Sequence, residues 1–297
     1  MSDLGDRLSL EFGPARVGRE VPLAPFTTFR VGGPAELFVE ARTSDEIVTA
    51  LRFASAANVM VTLLGGGSIT SISPSRVRAD AAVTINGLVR WTITHGAAGL
   101  EAWAGTPGTV GGAVFGNAHF GGRLIGDLIT DVRIAGRDGS VTEHPASAMA
   151  FGYDRSRLQD TGEVLLTATF RVEPGEPAAL RRTARESLAY RKRTQPLDSP
   201  SAGCIFQNPQ RERDAVPEGI PWSAGALIDR AGLKGAAVGS ARVSATHGNF
   251  IVTDGHASAR EIRRLIERCR RAVRDRFGVG LREEIVYLGE FDVDTVD

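Results

Sequence analysis

Two glycine-rich segments restrict this chain more than any other feature. The first, Leu64-Gly65-Gly66-Gly67-Ser68, follows the β-rich run Val59 to Leu64. The second runs from Gly105 to Gly122 and reads Gly-Thr-Pro-Gly-Thr-Val-Gly-Gly-Ala-Val-Phe-Gly-Asn-Ala-His-Phe-Gly-Gly. So much glycine forbids regular helix or strand throughout. Its physical use is close approach, because successive N–H groups without side chains can close on the oxygens of a pyrophosphate. One triple glycine can equally make a tight turn, but two such segments in one chain favour a phosphate-bearing ligand. Neither segment fits Gly-x-Gly-x-x-Gly before a helix, so a Rossmann dinucleotide fold is not expected. The only lysines, Lys192 and Lys234, follow no phosphate-loop glycines.

Around these segments strands and helices alternate. An extended run at Glu36 to Ala41 leads into a helix opened by the capping-box pair Thr43 and Glu46. Ile47, Val48, Leu51 and Ala54 keep helical spacing there, and Asn58 stops the helix. A second helix spans Thr84 to His95, with Ile85, Leu88, Val89, Thr92 and Ile93 on one face and Gly96 as a left-handed cap. Asp131 to Ala135 and Ser140 to His144 form a hairpin about Gly136 to Gly139, followed by an extended Val164 to Val172. A connecting helix runs from Ala178 to about Arg193, and Gln195 to Pro200 is a proline-marked linker. The last long helix opens on Ser258 and Glu261 and ends before Gly278, with a closing strand at Glu284 to Leu288. The 297 residues exceed what one hydrophobic core usually supports, and a domain boundary is placed near Arg193.

Lysine plus arginine and aspartate plus glutamate each number 35, so no net field draws nucleic acid or an anionic membrane. No apolar stretch approaches the roughly 18 residues of a membrane-crossing helix. Met1 to Glu11 carries Asp3, Asp6 and Glu11 without an apolar core, unlike a secretory signal, and a cytoplasmic location is expected. The histidines at 95, 119, 144, 247 and 256 include no i, i+4 pair, and there is no Cys-x-x-Cys, so no metal is expected. His95 ends a helix, and His144 and His256 read as surface turns, which leaves His119, inside the glycine-rich loop, and His247. A Gly-x-Ser-x-Gly elbow is absent. Cys269 shares a helical stripe with Ile262, Leu265, Ile266 and Val273 and reads as packing. Cys204 lies between a glycine and a short strand ended by Asn208 and Pro209, and spacing alone leaves it open as a functional thiol or a small core residue.

Taken in order, several motifs point one way: Thr27-Thr28-Phe29-Arg30-Val31-Gly32-Gly33; Leu64 to Ser68; Gly105 to Ala113 with Gly116-Asn117-Ala118; Ser201-Ala202-Gly203-Cys204-Ile205-Phe206-Gln207-Asn208-Pro209; Ala224 to Asp229 with Ala231 to Gly235; His247-Gly248-Asn249-Phe250; and Glu284 before Ile285. Together they resemble the UDP-N-acetylenolpyruvoylglucosamine reductase (MurB) family over most of the chain, in its compact type II branch. The resemblance implies an α+β fold. Residues 1–63 and 64–193 would be the two lobes of a FAD-binding region of the MurB/vanillyl-alcohol-oxidase type, and residues 194–297 a C-terminal α+β substrate-binding domain. It implies non-covalent FAD, NADPH as hydride donor, a UDP-sugar substrate and a monomer.

By the same resemblance, FAD is held by Arg30, Gly65, Gly66, Gly67, Ser68, Thr106, Pro107, Gly108, Thr109, Val110, Gly111, Gly112, Asn117, Ala118 and Arg191. Substrate contacts fall to Tyr153, Gln207, Asn208, His247 and Asn249, and catalysis to Cys204, Glu284 and Arg155. NADPH reduces FAD and leaves; the enolpyruvyl sugar nucleotide then accepts hydride from flavin N5 at C3, giving UDP-N-acetylmuramate for peptidoglycan synthesis. C2 needs a proton, and Cys204 stands where the family places a serine or cysteine donor, a role that calls for a neutral thiol. Enolate charge on the substrate carboxylate is stabilised by Glu284 and an arginine.

Three departures accompany the match. The family motif Tyr-Arg-x-Ser is here Tyr153-Asp154-Arg155-Ser156, which displaces the arginine by one residue. In a regular strand that flips its side chain away, whereas an irregular loop lets it reach the carboxylate. Gln207 stands where lysine is common. After Ser68 the chain passes through Ile69 to Ser75 directly into Arg76 to Val83, without the further hairpin the resemblance expects. Another FAD oxidoreductase on the same scaffold, or a sugar-nucleotide-binding protein without catalysis, are the alternative functions.

Overall fold

The computed structural model describes residues 2–64, 68–289 and 291. The chain divides into two compact units, Met1–Val21 with Pro34–Ala189 and Pro22–Gly33 with Tyr190–Asp297. The division at Ala189 falls just before the boundary placed near Arg193. Residues from Pro34 to Ala189 stay together across residue 63, and the motif Thr27 to Gly33 groups with the C-terminal unit.

An antiparallel five-stranded sheet organises the first unit. Its strands, in spatial order, are Ile69–Ser73, Arg76–Asp80, Val164–Arg171, Ile129–Ala135 and Val141–Pro145. The middle strand reads Val-Leu-Leu-Thr-Ala-Thr-Phe-Arg and is buried on both faces, as its nearly continuous apolar and β-branched run requires. A register shift between Leu165 and Thr167 turns it over partway. Leu165, Ala168 and Phe170 therefore enter the main core with Val77, Val132 and Ile134, while Leu166 meets Val48, Leu51 and Ala135 in a second cluster. The main core also takes the buried stripe of helix Ile85–Thr94, which Thr84 caps by accepting from the Gly87 N–H at 3.0 Å. Helix Ser44–Ala56 contributes Val48 and Leu51 to the second cluster and is capped by Thr43. Helix Ser2–Phe12 packs Leu4, Leu8 and Phe12 against Leu37 and Phe53.

Two expected strands do not form. Residues 59–64 join no sheet among the described residues and leave Met60 90% exposed, because β propensity without a ladder partner does not make a strand. Residues 284–288 also form no strand, and the isolated bridge between Phe206 and Glu283 is what remains of that pairing. Conversely, the stretch taken as a plain joint after Ser68 supplies edge strand Ile69–Ser73, which pairs with Arg76–Asp80.

In the C-terminal unit, strands Ala237–Val238, Ala241–Val243 and Ile251–Thr253 form one antiparallel sheet. Helix Ala259–Phe277 begins with the expected capping box, Glu261 N–H to Ser258 Oγ at 3.2 Å and Ser258 N–H to Glu261 Oε2 at 2.7 Å. It buries Ile262, Leu265, Ile266, Cys269 and Val273 against Leu227 and Ile228 of helix Ala224–Arg230 and against Val243 and Ile251. Phe29 and Val31 pack on the same core. Among the described residues no helix is long and apolar enough to cross a membrane, and no group of three His, Cys, Asp or Glu is placed to hold a metal ion.

Candidate active site

Cys204 owes its place to Asn249. The buried Asn249 side chain accepts from the Phe206 N–H at 3.0 Å and donates to the Phe206 carbonyl at 2.7 Å, and the Asn249 backbone carbonyl accepts from the Ile205 N–H at 2.9 Å. Cys204 bridges Phe250 on the same side. On the other side the Glu284 N–H donates to the Ile205 carbonyl at 2.8 Å, and the Gln207 N–H to the Arg282 carbonyl at 2.9 Å. Two of the expected catalytic residues thus stand on adjacent, hydrogen-bonded segments. Gly203 enters the turn at φ 88 with open space where a Cβ would be. Asn249, expected at the substrate, turns its amide into the protein, and Asn208 accepts from the Ala224 N–H at 3.0 Å at the start of a helix.

The Glu284 segment is tied down by Arg282, whose guanidinium meets both oxygens of Asp214 at 3.0 and 2.7 Å. Those hydrogen bonds hold the Asp214 carboxyl below its ordinary range. A carboxyl whose pKa is depressed by folding stabilises the fold above its unfolded pKa of about 3.9, and that contribution disappears as pH falls through the folded value. Asp214→Asn should therefore lower the melting temperature at pH 7, with the gap to wild type closing as pH drops from about 5 toward 2. A gap unchanged by pH in thermal scans would rule this ion pair out as its source.

Arg191, expected beside FAD, is buried in the C-terminal unit and faces Cys204 electrostatically. Burial pulls its pKa down to about 10, and the Cys204 sulfur acts in the opposite sense. A cation beside a thiol favours the thiolate. Cys269 is the contrast, since burial pushes its thiol up to about 12. Alkylation of the native protein should accordingly label Cys204 and spare Cys269, which peptide mass spectrometry would show; Cys269 labelled ahead of unfolding would contradict it. The His247 ring accepts the Asn249 N–H on Nδ1 at 3.2 Å and meets Phe250 edge-on at 4.9 Å. Burial, with Lys234 acting in the same direction, lowers its pKa and favours the neutral ring. Arg30 is exposed at φ 55 in the Pro22–Gly33 segment of this unit.

In the first unit Gly65, Gly66 and Gly67 lie outside the described residues. Ser68 donates its N–H to Asp80 Oδ2 at 2.9 Å. The second glycine segment folds into helix Val110–Phe115, capped by Thr109. Its amides are used unevenly. Thr106 donates to the Trp103 carbonyl at 2.9 Å, Val110 to Val83 at 2.8 Å, Gly111 to Ala81 at 2.6 Å and Gly112 to Thr109 Oγ1 at 3.3 Å. Pro107 has no N–H, so the outward-turned pair Gly108 and Thr109 is the part of the loop that can still donate to a ligand. Gly108 sits at φ 93 with open space where a side chain would go. The fully buried Asn117 closes the loop, accepting from the Gly126 N–H at 2.9 Å and donating to the Gly152 carbonyl at 2.8 Å. Ala118 donates to Ala113 at 2.8 Å.

Asn117 also fixes the segment that carries Tyr153, Asp154 and Arg155. Gly152 and Arg155 exchange backbone hydrogen bonds at 3.0 and 3.3 Å, so the segment is a tight turn, not a regular strand. Arg155 pairs there with Asp160 at 2.8 Å and is largely exposed. Asp154 is the buried member, 3.0 Å from the His119 ring, which lies tilted against Tyr153 at 5.0 Å. Sequence reasoning noticed His119 and the displaced arginine but did not connect them; the aspartate after Tyr153 was the available signal.

Residues 195–288 match the family model described as UDP-N-acetylenolpyruvoylglucosamine reductase, C-terminal domain. A UDP-N-acetylenolpyruvoylglucosamine reductase of Synechococcus sp. (strain JA-3-3Ab) is 36% identical, covering 93% of this chain and 93% of that protein. The chain belongs to the UDP-N-acetylenolpyruvoylglucosamine reductase family. A Chlamydia felis reductase is 34% identical over 92% of this chain and 94% of its own length. The crystal structure of the Thermus caldophilus reductase superposes with a TM-score of 0.72 at 30% identity, covering 91% of this chain and 97% of that one. Family membership accounts for the order of the motifs along the chain and for the α+β fold.

Proposed function

We propose that this chain is a UDP-N-acetylenolpyruvoylglucosamine reductase, using NADPH and FAD to reduce the enolpyruvyl group of the sugar nucleotide to UDP-N-acetylmuramate. The observation that carries this is Cys204 beside Glu284 on hydrogen-bonded segments, in a chain 36% identical to such a reductase over 93% of its length. In this reading the unit with the glycine-rich loop binds FAD and the unit with Cys204 binds the sugar nucleotide, as a monomer working in the cytoplasm.

The loop suits FAD. Gly108 and Thr109 present consecutive amides, and a Cβ at Gly108 would stand in space that a diphosphate needs. When bound, FAD carries hydride from NADPH to the enolpyruvyl double bond. The chain's own part is to supply the proton and hold the charge. Cys204 donates to the substrate carbon next to the carboxylate, and Arg191 then favours the thiolate left behind. Glu284, whose N–H donates to the Ile205 carbonyl next to Cys204, is assigned the contact with the developing enolate. Arg155 is a further contact in this proposal, which requires it to leave Asp160. The visible spectrum of the purified protein, before and after refolding with FAD, tests the cofactor: a flavin chromophore at about one per chain agrees, and a colourless protein under both conditions contradicts the reading.

A further inference from the structure

The loop of residues 209–223 follows Gln207-Asn208 directly and is held at several points. Its ends meet, because Asn208 Oδ1 accepts the Ala224 N–H at 3.0 Å. Its first turn closes on Gln210, whose carbonyl accepts the Arg213 and Asp214 N–H groups at 3.0 and 2.9 Å and whose own N–H donates to Asp214 Oδ2 at 2.7 Å. Asp214 is clasped in turn by Arg282, whose backbone carbonyl accepts the Gln207 N–H on the strand after Cys204. Further on, Val216 and Ile220 pack on the core of this unit, and Pro217 and Pro221 restrict the backbone. Compact loops with joined ends and packing of their own frequently carry function.

Arg211 and Trp222 meet across this loop. The Arg211 guanidinium lies over the half-buried Trp222 ring, 4.6 Å from its centroid. The Arg211 side chain is otherwise exposed and, among the described residues, makes no hydrogen bond or ion pair. Other cations of the unit are already matched, Arg282 by Asp214, Lys234 by Asp229 at 2.8 Å and Arg270 by Glu267 and Glu283. Stacking fixes the plane of the guanidinium and leaves its N–H fork for an acceptor, and that fork suits phosphate oxygens. A solvated arginine must be ordered when a ligand arrives, whereas one laid on a ring is ordered beforehand. Gln207 stands where lysine is common, and Arg211 places a cation on the loop that begins just after it.

We propose that Arg211 is the cationic contact for the diphosphate of the sugar nucleotide in this chain, with Trp222 as its positioning residue. This rests on the reductase reading above. Both residues belong to the C-terminal unit, so the contact needs no group from the unit with the glycine-rich loop.

Calorimetry on the FAD holoenzyme tests this with UDP and uridine, which differ only in the diphosphate. Arg211→Ala should weaken UDP by about 10–100-fold, the loss of hydrogen bonds to a charged group, and leave uridine unchanged. Arg211→Lys should recover part of that loss, as a point charge without the fork. Trp222→Ala should cost about threefold to tenfold in UDP affinity at unchanged flavin content, and Trp222→Phe, which keeps a ring under the guanidinium, should retain most of it. Arg213→Ala removes an equal charge from the same loop and should stay within about twofold of wild type, because solvent screens a charge that makes no contact. An Arg211→Ala variant that binds UDP as wild type does, or that weakens uridine equally, would overturn the proposal and leave the reductase reading standing. So would an Arg213→Ala variant as impaired as Arg211→Ala. A wild-type holoenzyme that binds neither UDP nor UDP-N-acetylglucosamine removes that reading and the proposal with it.

Discussion

Replacing Cys204 by alanine should leave NADPH able to bleach the bound flavin while lowering turnover of the enolpyruvyl sugar nucleotide by about 10²–10⁴, the effect of losing a positioned acid. The asymmetry follows from the role. A proton donor acts with hydride transfer to the substrate and has no part in flavin reduction. Cys204→Ser should keep a large share of turnover, because a hydroxyl on the same Asn249-pinned segment can also donate. Packing should survive, since Cys204 is only partly buried and the segment is held by backbone hydrogen bonds to Asn249 and Glu284. Stopped-flow measurement of the two half-reactions decides it, and equal loss of both in the alanine variant would mark Cys204 as structural.

Asn117→Ala should be the most damaging single change in the unit that carries the glycine-rich loop. The side chain satisfies two backbone groups far apart in sequence, the Gly126 N–H and the Gly152 carbonyl, and it is 0% exposed. Stranding two partly buried polar groups costs about 1–3 kcal/mol each. Asn117 is also left-handed at φ 45, which asparagine tolerates better than alanine does. A total of about 3–5 kcal/mol is expected, with loss of flavin content because the loop end and the Tyr153 turn are released together. Chemical denaturation with parallel flavin titration measures both. A variant within 1 kcal/mol of wild type by the usual surface-substitution standard would show that the network carries little.

Local rules made the helices legible. Thr43 and Ser258 cap as their spacing requires, and the stripes on Ile85–Thr94 and Ala259–Phe277 are buried residue for residue. What escaped depended on partners distant in sequence. Residues 59–64 have strand composition but no ladder, while Ile69–Ser73, with three β-branched residues in five, finds one against Arg76–Asp80. The same holds at the site. Cys204, Asn249, Glu284 and Arg191 were all named from motifs, but that the Asn249 amide pins the Phe206 backbone and that Arg191 is buried facing Cys204 depend on contacts no motif records. The loop Thr106 to Gly112 read as a uniform set of donors, yet three of its six amides answer carbonyls at Trp103, Val83 and Ala81, which no glycine count reveals. Asp154 looked like a displaced neighbour of Arg155, and burial reversed which of the two is held inside.

The most direct test of the account is an anaerobic two-step experiment on the FAD-loaded wild-type chain. NADPH is added until the flavin bleaches, the nicotinamide is removed, and enolpyruvyl-UDP-N-acetylglucosamine is then introduced. The oxidised flavin spectrum should return with formation of one UDP-N-acetylmuramate per flavin. A flavin that NADPH reduces but that stays bleached in the presence of the enolpyruvyl sugar nucleotide would contradict it.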